Sequence, residues 1–210
     1  MSRLLLSILL LLVPMSSFPQ ELKMDSVPQQ PAKKSYVHLL HTDITRFDEA
    51  VDPDAWILVG NVNFRRDSMY MFCDSAHYYQ KQNSFLAFGN VRMEQGDTLF
   101  LYGDYLDFDG VTNLARVRNN VRLIDKDVVL ETDSLDFDRN RNLGYFFEYG
   151  VLYDETGTLK SYYGDYNLDT KTARFMDDVT LENSKSLLLS DTLYYNTNNN
   201  LATIVGPTNI

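Results

Sequence analysis

One short phrase occurs six times along the chain, and this repeat constrains the fold more than any other feature. Each copy has an aspartate followed by alternating apolar residues: HTDITRFD, CDSAHYYQ, GDYLDFDG, TDSLDFDR, GDYNLDTK and SDTLYYNT. Their aspartates are Asp43, Asp74, Asp104, Asp133, Asp165 and Asp191, separated by 31, 30, 29, 32 and 26 residues. Self-similarity at this period is typical of a stacked array, in which each unit covers the apolar face of its neighbour.

A second phrase alternates with the first. Its copies are Gly60-Asn61-Val62, Gly89-Asn90-Val91 and Asn119-Asn120-Val121, with looser versions at Gly150-Val151 and Asp178-Val179. If each repeated aspartate lies at a strand start, every unit contains strand, turn, strand and turn. Sequential strands joined by short turns pair antiparallel. The run from Asp54 to Gly206 contains no proline, which suits a continuous ladder because proline cannot donate to it. We therefore predict an all-β fold with almost no helix.

The amino-terminal residues have the pattern of an export signal. Arg3 precedes the apolar run Leu4 to Val13, which is about half the ~20 residues that span a bilayer. We expect residues 1–17 to be a cleaved signal peptide, residues 18–35 a flexible lead, and residues 36–210 one β-repeat domain. Because the repeat is interrupted at the last residues, GPTNI, we also expect this domain to be truncated at its C-terminal end.

Charge and side-chain chemistry exclude several functions. The net charge is −10, and no basic footprint for nucleic acid is visible. His38 and His41 are three residues apart, but no cysteine or carboxylate completes a metal set at a recognised spacing. No nucleophile elbow or phosphate-binding glycine loop is present. We therefore predict no catalytic residue, no metal, no cofactor and no nucleic-acid partner.

Alternation of apolar residues predicts one continuous apolar face. Period two places these residues on the same side of their strands, so the sheet must fold over or curl to cover them. Two interpretations of the covered face stay open: an ordinary dry core, or an elongated slot for acyl chains. The residues predicted to line the interior are Phe85, Val91, Met93, Leu99, Leu101, Val117, Val121, Leu123, Leu143, Tyr145, Phe147 and Val151.

The repeats also resemble a known family. The stretch GNVRMEQGDTLFLYGDYLDFDGVTNLARVRNNVRLID, from Gly89 to Asp125, resembles the OstA-like family of Bacteroidetes, as do Cys73 to Tyr79 and Ser190 to Thr197. That family is similar to the periplasmic lipopolysaccharide-transport proteins of the LptA/OstA type. The resemblance covers roughly residues 36–210 and is carried by whole repeats, so it transfers no single site residue.

This resemblance implies an antiparallel β-jelly roll, folded like a taco and open along one side, that is not an enzyme. It implies a periplasmic protein, associated with the outer membrane, that holds the lipid A acyl chains of lipopolysaccharide in its slot. Expected partners are other lipopolysaccharide-transport proteins of the inner and outer membranes, joined through edge strands, and further copies of the chain in a head-to-tail oligomer. Two alternatives remain: an exported structural or adhesive β-repeat protein, and a polysaccharide-acting β-helix enzyme.

Overall fold

The computed structural model describes residues 35–209, which form one antiparallel sheet of fifteen strands. The predicted all-β antiparallel fold is therefore confirmed, while the predicted signal peptide lies outside the described residues. A 3-10 turn at Gln80–Gln82 follows β4. The strands are β1 (His38–His41), β2 (Ile44–Arg46), β3 (Trp56–Arg66), β4 (Met69–Tyr79), β5 (Ser84–Gln95), β6 (Leu99–Asp109), β7 (Leu114–Asp125), β8 (Val128–Asp138), β9 (Leu143–Phe146), β10 (Gly150–Tyr153), β11 (Thr158–Ser161), β12 (Tyr163–Asn167), β13 (Thr172–Glu182), β14 (Leu187–Asn196) and β15 (Leu201–Asn209).

The sheet is folded along its length into two facing walls. Each long strand bends near its middle, where the pairing register with both neighbours shifts, so its two halves belong to different walls. In three layers the bend splits the strand into two short ones, namely β1 with β2, β9 with β10, and β11 with β12. We call the line of bends the corner, the interior the slot, and the two rows of turns at the free edges the lips.

Apolar side chains from the two walls meet inside the slot. Phe64 on one wall stacks on Phe85 of the other, with ring centroids 4.4 Å apart, and Phe85 stacks in turn on Phe108 at 5.3 Å. All three phenylalanines are almost fully buried. Burying such a side chain contributes about 1.5–3 kcal/mol, so this ladder of rings is a main source of stability.

The inner side of the corner is lined by small residues because two strand halves converge there. Gly103 is one of them: a Cβ on it would lie 2.4 Å from Cγ1 of Val117. The single cysteine, Cys73, occupies the same row and is buried and unbridged. Burial raises the pKa of its thiol to about 12, so Cys73 is a structural residue and an unreactive one.

The two repeated phrases meet at the corner. The expectation that each aspartate begins a strand was wrong, because Asp74 and Asp104 lie in the middle of β4 and β6. There each aspartate accepts a hydrogen bond from the asparagine of the next layer: Asn90 Nδ2 donates to Asp74 Oδ2 at 2.8 Å, and Asn120 Nδ2 to Asp104 Oδ2 at 2.6 Å. Both asparagines have positive φ, which asparagine tolerates better than most residues. The two repeated sequence phrases therefore mark the bends of the strands and not the strand starts.

The corner also corrects the period of the repeat. In the fifth copy the corner residue is Tyr162, between β11 and β12, whose N–H donates to the Asp177 carbonyl. Asp165 lies inside β12, where it accepts from Arg174 Nε at 2.8 Å. If the steps are counted through Tyr162 instead of Asp165, the last three steps, from Asp104 to Asp191, are 29 residues each. The unequal steps of 32 and 26 residues therefore arise because tyrosine takes the place of aspartate at the corner of the fifth copy.

Candidate functional site

The slot contains eight of the twelve residues that were predicted to line it. Seven are buried and Leu99 is half-buried against the same core. The eight residues are Phe85, Val91, Met93, Leu99, Leu101, Val117, Val121 and Leu123. The interior face is thus continuous across β5, β6 and β7.

The other four predicted residues face outward, so their assignment to the slot was wrong. Leu143, Tyr145 and Val151 are half-buried and Phe147 is 42% exposed. The slot positions of this layer are instead Gly144, Phe146, Gly150 and Leu152, all of them buried. The segment LGYFFEYGVLY has apolar residues at consecutive positions, so alternation alone cannot choose the face. Tertiary contacts decide which residues of this segment face the slot, because Phe146 packs edge-on against Phe175 with ring centroids 5.4 Å apart.

The middle of the slot is closed in this structure. The space bounded by Met93, Leu101, Leu123 and Phe137 measures only about 10 Å³, roughly the space of one water molecule. A larger cavity of about 560 Å³ lies at the first layer, where β1 and β2 are short. Its walls include Trp56, which is the one tryptophan of the chain. An acyl chain could enter the middle of the slot only if the walls moved apart.

Side chains alone hold the two lips together. One lip consists of the turns after β3, β5, β7, β10 and β13, and the other of the turns after β4, β6, β8, β12 and β14. Across residues 35–209, no backbone-to-backbone hydrogen bond joins one lip to the other. Instead, at four of the five turns of the first lip, the last inward side chain contacts residues in or next to the second lip. These residues recur at steps of 29 or 30: Arg66, Gln95, Asp125 and Asp154.

The strongest of these cross-lip contacts is centred on Asp125. Its carboxylate is almost fully buried and forms an ion pair with Lys171 Nζ on the other lip. Tyr166, near the end of β12 on the opposite wall, donates its hydroxyl to Asp125 Oδ2 at 2.9 Å. Burial raises the pKa of Tyr166, and the charge of Asp125 adds to this effect. The buried carboxylate thus has two partners, as a buried charge requires.

Two further contacts repeat this arrangement. Tyr195 donates to Asp154 Oδ2 at 2.9 Å across the lips. Burial alone would raise the pKa of Asp154, but hydrogen bonds from Thr156, Tyr195 and Gly157 lower it overall. In the third contact, Arg139 Nη2 donates to Gln95 Oε1 at 3.1 Å. We call the three contacts, centred on Gln95, Asp125 and Asp154, the latches.

Sequence reasoning missed the latches, although a signal for them exists. Each latch residue of the first lip continues the inward alternation of its strand by one step, as Asp125 does after Val121 and Leu123. The apolar pattern ends at these positions, so they resemble ordinary turn residues. Only their recurrence at 29 or 30 residues distinguishes them.

Neither a metal-binding cluster nor a membrane-spanning helix occurs among residues 35–209. No group of three or more His, Cys, Asp or Glu side chains within residues 35–209 could hold a metal ion. Over the same residues, no helix has the length and apolar character needed to cross a membrane.

Fold and site together define a class of protein: a two-walled antiparallel β-repeat with an elongated apolar interior and lips closed by side chains. The family model described as OstA-like protein matches residues 34–191. The chain therefore belongs to the OstA-like family, which consists of transport proteins and not of enzymes. No curated protein matches the sequence.

Among solved structures, the chain is similar to LptH from Pseudomonas aeruginosa. That structure is titled as the LptA-homologous periplasmic component of a lipopolysaccharide transport device. The similarity covers 66% of this chain and 82% of LptH, with 13% sequence identity and a TM-score of 0.31.

Proposed function

We propose that this chain is a periplasmic lipopolysaccharide-binding transport protein whose slot holds the acyl chains of lipid A. Membership of the OstA-like family supports a function of the lipopolysaccharide-transport type. The observation that carries the finer proposal is an apolar interior whose lips are joined by side chains only. Parting the lips breaks the latches and leaves the strand ladder intact, so the walls can separate without unfolding.

The energetics favour acyl chains as the occupant. Each buried methylene contributes about 0.8 kcal/mol, so a chain of ~12 carbons gains roughly 9 kcal/mol before ordering costs. This gain must exceed the cost of separating the two walls and of breaking the latches nearby. Headgroup contacts are not needed for this balance.

A cleavable cross-link between the lips tests whether chains enter by this route. Glu155 and Asn198 lie on opposite lips, are exposed, and border the same cleft. We expect the variant Glu155→Cys with Asn198→Cys, joined by a bismaleimide that contains a disulfide, to lose lipopolysaccharide uptake and to regain it on reduction. The native Cys73 stays unreacted because it is buried. Uptake is measured by co-purification and by quenching of Trp56 with brominated acyl chains.

The matched control places both cysteines on one lip. Asp127 and Glu155 border the same cleft but belong to the turns after β7 and β10. Cross-linking Asp127→Cys with Glu155→Cys leaves the lips free to part, so uptake should be unchanged. If the cross-lip link leaves uptake as high as this control does, acyl chains do not enter between the lips.

We further propose that copies of the chain, or partner transport proteins, extend the slot by strand addition and so bridge the inner and outer membranes. Among the described residues, β15 pairs only with β14, and an unpaired strand edge templates another strand. Adjacent residues point their N–H groups to opposite edges, so Ala202→Pro and Thr203→Pro are compared. Light scattering should show concentration-dependent oligomers that one of the two substitutions abolishes without loss of fold. Monomers at every concentration would contradict self-association.

A further inference from the structure

An arginine that forms no ion pair among residues 35–209 lies at the mouth of the slot. Arg66 is the last residue of β3, faces inward and is only 4% exposed. Its Nε and Nη1 have no hydrogen-bond partner, and Arg66 forms no ion pair with any residue of the described range 35–209. Its guanidinium lies 5.5 Å from the centroid of the Phe108 ring on the other wall. A buried charge without a partner costs several kcal/mol, so Arg66 is the exception to the rule that the latches obey.

A second arginine approaches the same place from the other lip. Arg139 follows β8, and its one side-chain hydrogen bond is to the neutral acceptor Gln95. Burial lowers the pKa of Arg139, and the positive charge of Arg66 lowers it further. Geometry places the two arginines at the same point of the mouth, because Met69, the cross-strand partner of Arg66, borders the same small space as Arg139. Neither arginine forms an ion pair within the part of the chain that the structure describes.

The two carboxylates close to Arg66 are already engaged elsewhere. Asp67 accepts a hydrogen bond from Ser35 Oγ at 2.6 Å, and Asp109 accepts from the backbone N–H groups of Val111 and Thr112 at 2.8 and 3.2 Å. Their charges oppose the lowering of the pKa of Arg66 that burial causes, but burial has the larger effect. These acids therefore compensate the buried charge only in part.

Several arginines on the outer face of the sheet form ion pairs. On the outer face, Arg116 pairs with Asp107 at 3.0 Å and Arg118 with Asp136 at 2.7 Å. Like Arg66, Arg46 and Arg65 form no ion pair within the described residues, but both are exposed to solvent. Among the arginines of residues 35–209, Arg66 is the one that is buried and forms no ion pair. A guanidinium group can donate two parallel hydrogen bonds to one phosphate, and the Nε and Nη1 of Arg66 are both without a partner.

The apolar wall directly below the arginines suggests what is attached to the anion. Arg139 borders the same small space as Met69, Met93, Leu123 and Phe137. We propose that Arg66 and Arg139 form an anion site that binds the phosphate group of a phosphorylated amphiphile, with its acyl chain in the slot beneath. The placement of the acyl chain rests on the proposed function, whereas the anion site rests on the two arginines alone.

The test compares three probes on the full chain: inorganic phosphate, dodecyl phosphate and the neutral dodecyl glucoside. The wild type should bind dodecyl phosphate about tenfold more tightly than dodecyl glucoside, measured by calorimetry below micellar concentrations. The double variant Arg66→Met with Arg139→Met should lose this preference. The control Arg122→Met removes an exposed outer-face arginine that pairs with Glu131 at 3.4 Å, and it should keep the preference.

Stability without ligand gives a second readout. Removing an unpaired buried charge should leave the melting temperature of Arg66→Met unchanged or raised. A large fall would show that the guanidinium is already satisfied in the ligand-free protein, and it would overturn the proposal. Arg66→Lys keeps the charge but not the bidentate geometry, so it should fold normally and bind dodecyl phosphate more weakly than the wild type.

The outcomes separate this proposal from the proposed function. If both amphiphiles bind equally in every variant, the slot binds acyl chains and the anion site is wrong. If inorganic phosphate raises the melting temperature of the wild type and of Arg122→Met, but not of the double variant, the anion site is supported. If in addition neither amphiphile binds, the anion site stands and the acyl-chain function falls.

Discussion

At the residue scale, the corner explains why glycine and asparagine recur in this chain. Gly89 has φ +71°, and a Cβ placed on it would lie 2.5 Å from Asp74 Oδ2. Asn90 follows with positive φ and donates to the same carboxylate. A left-handed backbone and a close aspartate therefore select these two residue types together, and the same pair recurs at Gly60 and Asn61.

This geometry predicts that Gly89→Ala is more destabilising than Gly96→Ala. Both glycines have positive φ, but nothing lies within 4 Å of a Cβ on Gly96. The strain of the left-handed backbone, about 1–2 kcal/mol, is common to both variants, and only Gly89→Ala adds a clash with Asp74. Urea unfolding measures the difference. Equal losses would show that the aspartate does not confine the corner.

A second prediction at this scale concerns acid stability and Asp154. Hydrogen bonds hold the pKa of Asp154 below its usual 3.8. A depressed carboxylate pKa contributes stability that is present above the unfolded value and is lost as pH falls through the folded value. The free energy of unfolding of the wild type should therefore exceed that of Asp154→Asn at neutral pH, and the two should converge below about pH 3.8. A difference that stays constant across this range would contradict the linkage.

At the scale of the element, the bent strand is the unit from which the molecule is built. Its two halves pair with the same neighbours but belong to opposite walls, so one strand contributes to both faces of the slot. In the layer of β9 and β10 the bend breaks the strand, and the corner residues 147–149 are Phe, Glu and Tyr, where β3, β5 and β7 carry asparagine. The inward positions nevertheless keep the register of neighbouring layers, because Phe146 aligns with Leu135 of β8.

Two adjacent phenylalanines test the register of this layer. Phe146 is 2% exposed and Phe147 is 42% exposed. We expect Phe146→Ala to reduce the free energy of unfolding by about 3–5 kcal/mol through cavity formation, and Phe147→Ala by less than about 1 kcal/mol. Chemical denaturation of both variants makes the comparison. The opposite ranking would restore the original assignment of Phe147 to the slot.

At the scale of the whole molecule, the closed slot depends on contacts between residues far apart in sequence. The latches join positions 41 to 46 residues apart, such as Tyr166 with Asp125 and Lys171 with Asp125. They lie where the ladder of backbone hydrogen bonds is open, so they set how easily the walls separate. Opening the slot is therefore a change of side-chain partners and not a change of strand order.

The Asp125 latch gives a prediction at this scale. Lys171→Met leaves a buried carboxylate with one partner fewer, so it should reduce the free energy of unfolding by about 2 kcal/mol or more. Adding Asp125→Leu removes the uncompensated charge and should restore most of the loss. A double-mutant cycle in urea measures the coupling. Additive losses in the double variant would show that the two side chains do not act as a pair.

Much of the fold could be predicted from the sequence because it is a local property repeated many times. Period-two alternation determines which residues share a face, and the absence of proline from Asp54 to Gly206 allows a continuous ladder. These signals depend on neighbours along one strand and on the strand next to it. They were sufficient for the antiparallel sheet and for the slot positions from Phe85 to Leu123.

Only the tertiary structure decided the features that need two distant residues to meet. Leu143 and Phe147 face outward because Phe146 packs against Phe175. Tyr162 occupies the corner because its N–H bonds to the carbonyl of Asp177. The latches join opposite lips: Tyr166 and Tyr195 lie 29 residues apart in the sequence, but only the structure shows that they contact Asp125 and Asp154. The missing partner of Arg66 is likewise visible only in the structure. Alternation determines the face of a residue relative to its strand, but burial and charge pairing depend on what the other wall places opposite it.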